Sequence, residues 1–362
     1  MVDITFFKGK KVFITGHTGF KGTWLTKILL DAGAIVKGYS LEAEEKSLFQ
    51  KISLSEKIES IYGDIRDFEF LQKEFDEFSP EIVFHLAAQP IVRESYKNPH
   101  YTYETNVMGT VNILECVRKS ESVKSFVNVT TDKVYENLED IDIVKNQIQN
   151  NGNHEKGFKE DDKLNGRDPY SNSKSCSELI TSSYKQSFLE EREIGISTVR
   201  AGNVIGGGDS AKDRIIPDCI RAAKQKENII VRNPYAVRPY QHVLDALFAY
   251  LLIAQKQYED RYYAGYYNVG PDEKDIIKNK ELVDIFCNKW GENVSWIDKS
   301  DNGPYESKFL KLDCTKLKTV FDWKPVWNIE KAVEKVVEFE KWNKEELENC
   351  MDKQIKEFMD VI

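Results

Sequence analysis

The chain has 362 residues, 41% of them hydrophobic, enough to bury a sizeable core as one large α/β domain or two intimately connected ones. Its 51 Lys+Arg against 60 Asp+Glu leave a formal charge of -9, and no basic block tracks a phosphate backbone, so nucleic acid is not an expected partner. The six cysteines (Cys116, Cys176, Cys219, Cys287, Cys314, Cys350) form no CxxC pair and no zinc spacing, which points to reduced thiols, a cytoplasmic setting and no metal site. No apolar run approaches the ~18 residues that a membrane span needs, and "MVDITFFKGKKVFITG" lacks a signal-peptide core, so a soluble protein is expected.

In chain order, short β-branched runs alternate with longer helical patterns: "KKVFITG", a helix over 21–32, then "AIVKGYS", "IESIYGD", "EIVFHLAA" and "VKSFVNVT". Strands spaced by such crossovers predict a doubly wound parallel sheet of the Rossmann type, covered by helices on both faces. After Tyr170 a further helix leads to "GISTVRAGNVIGGGD", a strand feeding a glycine loop. Beyond Asp209 the alternation becomes irregular, with strand-like "NIIVRN" and "GYYNVG" among helical stretches, as in a smaller mixed α/β lobe. The expected division is a cofactor domain over 1–200, with 241–268 returning to it, and a substrate lobe over 201–240 and 269–362. The Asn/Lys-rich stretch 138–167 reads as a long loop, lid or insertion, and the C-terminal segment as an amphipathic helix packed on the body.

Two local patterns carry chemistry. Gly16, Gly19 and Gly22 follow a strand and open a helix, a spacing that permits a tight turn and brings a pyrophosphate close to free helix N–H groups. Where dinucleotide folds often place an acid for the adenosine ribose, the second strand ends Gly38, Tyr39, Ser40. Ser40 could donate to either form of the cofactor, and no arginine beside it would hold a 2'-phosphate. Asp64 in "YGDIRD" could accept from adenine's amine or serve as a helix N-cap. Tyr170 and Lys174 stand four apart, on one helical face. Ionising a tyrosine of pKa about 10 at pH 7 costs on the order of 4 kcal/mol, much of which a neighbouring ammonium can offset, making Tyr170 a base for a sugar hydroxyl. Asp132 and Lys133, at the end of an apolar strand, are either a solvated turn or a catalytic pair.

Together, "TGHTGFKG", "HLAAQPIVRESY", "TDKVYEN", "DPYSNSKSCSEL", "GNVIGGGD", "DRIIPDCIRA" and "RPYQHVLD" resemble the extended short-chain dehydrogenase/reductases, and within them the CDP-glucose 4,6-dehydratases, over nearly the whole chain. The resemblance implies tightly held NAD and a CDP-glucose substrate dehydrated at C5/C6, in deoxyhexose synthesis for surface polysaccharide such as O-antigen. It makes Tyr170 the base for C4 oxidation, Lys174 its partner on the nicotinamide ribose, and Thr131 a hydrogen bond to the C4 oxygen. Asp132 is then the acid for the leaving C6 hydroxyl, and Lys133 stands where related enzymes carry the glutamate that removes the C5 proton. Cofactor contacts are expected from Gly16, Thr18, Gly19, Phe20, Gly22, Ser40, Asp64, Ile65, Leu86, Ala87, Ala88, Thr130, Tyr170 and Lys174. Substrate contacts are expected from Gln89, Arg93, Asn203, Arg214, Arg238 and Glu306, whereas Asn106 is expected to tie helix to strand. Tyr305 stands where the family leads one to expect a histidine. A homodimer or homotetramer, paired near Asn106 and Tyr170, is also implied. The rival readings are another nucleotide-sugar dehydratase, a 4-epimerase, or a non-catalytic dinucleotide sensor.

Overall fold

Apolar runs that need burial on both faces end up at the centre of one sheet. In the computed structural model, which describes residues 2–137, 157–300 and 307–362, these are β1 (Lys11–Thr15), β2 (Ile35–Ser40), β3 (Glu59–Tyr62), β4 (Ile82–His85), β5 (Ser125–Val129), β6 (Gly195–Ala201) and β7 (Tyr266–Val269). Every residue of β4, β5 and β6 is buried, while β3, at one edge, has none buried. The spatial order is β7-β6-β5-β4-β1-β2-β3, and every neighbouring pair is parallel. The expected doubly wound sheet is therefore present, and "GYYNVG" supplies its seventh strand.

The winding reverses between β1 and β4, where Thr15 lies opposite His85. The loops leaving these two strands diverge there and open a crevice at the carboxyl edge, the place where such sheets bind ligands. Helices α1 (Phe20–Asp31), α2 (Phe68–Phe78), α3 (Gly109–Lys119), α4 (Pro169–Tyr184), α5 (Ile215–Gln225), α6 (Val243–Glu259), α7 (Asn279–Trp290), α8 (Ile329–Lys341) and α9 (Leu347–Met359) complete the frame. On one face, α1 and α6 pack with the apolar sides of β1, β4, β5 and β6, and α6 is buried nearly all round. On the other, α2 and α3 meet Phe13, Val83 and Phe126.

A second core joins Ile216, Cys219 and Ile220 of α5 to Leu282 and Phe286 of α7 and Val333 and Val336 of α8. Short ladders frame it: Ile229–Val231 beside Trp296–Asp298, and Val237–Pro239 antiparallel to Ile276–Lys278. The C-terminal amphipathic stretch is two helices rather than one. They break at Trp342–Glu346, where the Asn343 side chain accepts from Glu345 N and starts a tight turn. Helix α9 then packs Met351, Ile355 and Phe358 into the larger core. Among the described residues no helix is long and apolar enough to cross a membrane.

Candidate active site

The glycine loop is built around backbone contact that no side chain would permit. Gly16 has φ of 78°, and a Cβ there would lie 2.8 Å from Ala87 N; one on Gly22 would lie 2.1 Å from Gly16 O. The close approach brings the start of α1 against the strand end, with Gly19 as an N-cap that makes no side-chain hydrogen bond and lines the cleft. Gly16, Thr18, Gly19, Phe20, Gly22, Ser40, Asp64, Ile65, Leu86, Ala87 and Ala88 all line this one cleft. Thr18 Oγ1 lies 2.8 Å from Ser40 Oγ and donates to Leu41 O, tying the loop to the end of β2. Asp64 makes a close ion pair with Arg66, and the N-cap of α2 is Asp67 instead. A cradle in which Cβ atoms are excluded, at a helix start, fits a dinucleotide pyrophosphate.

A second cleft continues from the first, sharing Phe20, Lys21, Pro90 and Arg214. Thr130, Thr131, Asp132, Lys133 and Tyr170 line it. "RDPYS" folds so as to present Tyr170 there: Asp168 caps α4 by accepting from Ser171 N at 2.9 Å, Pro169 occupies the first turn, and Tyr170 follows. Burial pushes the Tyr170 hydroxyl up to about 12, against a hydrogen bond with Thr131 and the charge of Arg214. Lys174 lies behind it, buried, donating to Val129 O at 3.1 Å. Burial draws its ammonium down to about 8, opposed by Glu178.

Asp132 is 2% exposed. Thr131 Oγ1 donates to its Oδ1 at 3.0 Å, and Oδ2 has no hydrogen-bond partner among the described residues. Desolvation raises its pKa, against Lys133, Thr131 and Arg238. Lys133 is half-buried on the cleft wall beside it. The turn that holds the pair is a single 3-10 turn, Asp132–Val134, capped by Thr131.

Among the expected substrate contacts, Arg93, Asn203, Arg214 and Arg238 line this second cleft. Arg214 pairs with Asp209 at 3.1 Å, and Arg238 is buried, donating to Val237 O at 2.8 Å. Gln89 is not on the wall: its Nε2 donates to Thr102 Oγ1 at 2.9 Å and its Oε1 accepts from Ile91 N at 2.6 Å. Asn106 clamps Gln89 from both sides and donates to Ser173 Oγ, joining the strand-end loop to α4. Tyr305 and Glu306, and residues 138–156 of the long insertion, lie outside the described residues. The residues 157–167 that close it are fixed by a bridge from Phe158 to Leu312 and a Phe158–Tyr135 stack at 4.9 Å.

One wall residue escaped sequence reasoning. Lys21 sits between Phe20 and Gly22 of the glycine loop and lines both clefts, where burial and the cations Lys174 and Arg214 pull its ammonium down to about 7, against Asp132 and Asp209. A lysine inside the otherwise small or apolar "GFKG" was the available signal. Among the described residues no group of His, Cys, Asp and Glu has the arrangement of a metal site.

The sequence model of a family described as GDP-mannose 4,6 dehydratase matches residues 13–336. A CDP-glucose 4,6-dehydratase of Salmonella typhimurium is 44% identical over 371 residues, covering 99% of this chain and 99% of the relative. A CDP-paratose 2-epimerase of Salmonella typhi is 26% identical, covering 91% and 98%. Among solved structures, a dTDP-glucose 4,6-dehydratase of Bacillus anthracis in complex with NAD superposes with a TM-score of 0.74 at 21% identity, over 94% of this chain and 100% of that one, a likeness of fold. Cradle, strand order and full-length similarity agree, and the chain belongs to the GDP-mannose 4,6 dehydratase family, within the extended short-chain dehydrogenase/reductases.

Proposed function

We propose that this protein is a hydro-lyase that converts CDP-D-glucose into CDP-4-keto-6-deoxy-D-glucose, with NAD held in the glycine-loop cleft. The observation that carries the reading is Asp132: a buried carboxyl with one oxygen unpartnered among the described residues, on the same wall as Tyr170 and Lys133. An epimerase expels no water and has no use for an acid there. The full-length similarity to a CDP-glucose 4,6-dehydratase supports the choice of nucleotide.

Gly16, Gly19 and Gly22 would hold NAD, which when bound would supply a hydride acceptor for C4 and a hydride donor for C6. Tyr170 takes the proton from the C4 hydroxyl, and Thr131 hydrogen-bonds that oxygen. With C4 a ketone, the C5 proton is acidic, and Lys133 stands on the wall to remove it. Asp132, whose desolvation favours the protonated form, gives its proton to the departing C6 hydroxyl. Arg214 and Arg238 have the fork geometry for diphosphate oxygens, and Arg93 is placed for the hexose.

We assign residues 1–200 and 241–268 to the cofactor domain and 201–240 and 269–362 to the substrate lobe; the separate core of α5, α7 and α8 supports the lobe, while α9 packs against the larger core. Exposed Tyr103, Met108, Leu179 and Phe188, on the helices around Asn106 and Tyr170, support a homodimer through that face. Six free cysteines suit the cytoplasm, and the product class suits surface-polysaccharide synthesis.

The test is to incubate purified protein and NAD with CDP-, UDP- and dTDP-glucose and to read products by mass. Loss of one water from CDP-glucose alone is expected. A product of unchanged mass but altered sugar stereochemistry would make the chain an epimerase, and unchanged substrate throughout would make it a sensor.

A further inference from the structure

Helix α4 holds the segment after β5 through several successive side chains. Lys174 donates to Val129 O at 3.1 Å, and Ser175 Oγ donates to Val134 O at 2.7 Å. Between them Glu178 accepts the Thr130 hydroxyl on Oε1 at 2.5 Å. Its other oxygen accepts from Thr198 Oγ1 at 2.6 Å and from Arg200 Nη2 at 2.9 Å. The Glu178 side chain is 0% exposed and that of Arg200 2%, so this is a buried ion pair in which both carboxylate oxygens are satisfied, while Arg200 Nε has no hydrogen-bond partner among the described residues. Replacing such a pair by well-packed apolar residues is often neutral or stabilising, so stability alone does not account for it.

We infer that Glu178 is a positioning residue for the Tyr170–Lys174 pair: its buried negative charge, one helical turn beyond Lys174, holds that ammonium charged, and its bond to Thr130 fixes the strand end that carries Thr131 and Asp132. The inference rests on Tyr170 being the base of the proposed reaction. The surroundings of Lys174 leave this task to Glu178. From α1 it is faced by the cation Lys21, and from the end of β4 by His85, which burial holds neutral near a pKa of about 3. Burial draws Lys174 to about 8, and Glu178 is the carboxylate that opposes it. Tyr170 in turn is faced by Thr131 and Asp132 after β5, by Arg214 at the start of α5, by its own helix's Asp168 and by Tyr250 of α6. A Lys174 that loses its proton leaves Tyr170 harder to ionise.

The experiment compares the wild-type protein with Glu178→Gln, Glu178→Asp, Thr130→Val and the double variant Glu178→Gln/Arg200→Gln, which leaves no unpaired buried guanidinium if the single variant fails to fold. The alkaline limb of kcat with CDP-glucose and NAD, set by loss of the Lys174 proton, should move down by about one pH unit in Glu178→Gln and in the double variant, about tenfold in rate at pH 9, with KM within about twofold. Glu178→Asp should restore the limb. Thr130→Val, which keeps the charge, should lower kcat without moving it. The Lys174 ammonium titration, read from lysine 13C NMR of each protein less that of its Lys174→Met counterpart, should shift in the same direction without any substrate. Folded charge-removing variants whose limb and Lys174 titration coincide with wild type would overturn the inference and leave Glu178 a structural residue. Wild-type protein inactive on CDP-glucose would instead fail the proposed function, and the Lys174 titration would still decide the role of Glu178.

Discussion

Thr131 and Asp132 are joined by a hydrogen bond of 3.0 Å between neighbouring side chains, which commits Oδ1 of the carboxyl and leaves Oδ2 buried with no partner among the described residues. A carboxyl in this condition is unstable as a structural element and useful as an acid, because burial favours the form that carries the proton. Asp132→Asn should therefore lower the rate of water loss by about 10²–10⁴ and raise the thermal midpoint at pH 8, since an amide has no charge to desolvate. Mass-resolved turnover and a thermal melt on the same preparation check both halves. A variant as active as wild type would remove Asp132 from the mechanism.

Lys133 is the expected C5 base. In Lys133→Met, exchange of the C5 proton with solvent deuterium, followed by mass or NMR, should fall by about 10²-fold or more. Near-normal exchange would place the base elsewhere, with Lys133 reduced to a cation beside the enolate.

The glycine cradle makes a stereochemical prediction. In Gly22→Ala the new Cβ meets Gly16 O at 2.1 Å, backbone against backbone, so the loop must open. NAD binding by titration should weaken by about tenfold or more, the loss expected if the close approach holds the pyrophosphate. Gly9→Ala is the control: nothing lies within 4 Å of its added Cβ, and with φ of 73° it should cost only about 1 kcal/mol of stability and leave NAD affinity alone.

Asp245 predicts a pH dependence of stability away from the site. It sits in the first turn of α6, accepts from Val326 N at 2.6 Å, and is 1% exposed, with Oδ2 unpartnered among the described residues. Desolvation raises its pKa from 3.8 to about 7, against the backbone N–H groups of Val326 and Trp327. The folded protein thus binds more protons than the unfolded chain between these values, so this group's contribution is fully present below pH 4 and is lost as pH climbs through 7. Asp245→Asn should flatten that slope and gain roughly 2–4 kcal/mol relative to wild type at pH 8, read from denaturant melts at pH 5 and pH 8. A slope unchanged by the substitution would mean that Asp245 ionises normally in the folded state.

Much of the site is legible from local rules because its geometry is local. Three glycines spaced three apart, between a strand and a helix, define a cradle, and Tyr170 with Lys174 at four apart must share a helix face. The doubly wound sheet follows from alternation of apolar runs and helical patterns in the same way. What escaped was long-range. Gln89 reads as a cleft residue because it follows a strand's carboxyl end, yet its amide is held by Thr102 and Ile91. Glu178 lies one turn past Lys174, in plain view, but its meaning depends on Arg200 and Thr198, which reach it only because β6 pairs with β5 beneath α4.

By itself, then, the sequence determined the parallel α/β class, the phosphate loop, and the order Thr131, Asp132, Lys133 at a strand end, since each depends on residues within a few positions of one another. Tertiary structure alone decided which charges those residues feel. Lys21 is drawn down by burial and then by Lys174 and Arg214, Lys174 is drawn down by burial against Glu178, and Asp132 is buried with one oxygen unpartnered among the described residues. Desolvation and Coulomb interaction act through space, and packing sets both distances and access to water.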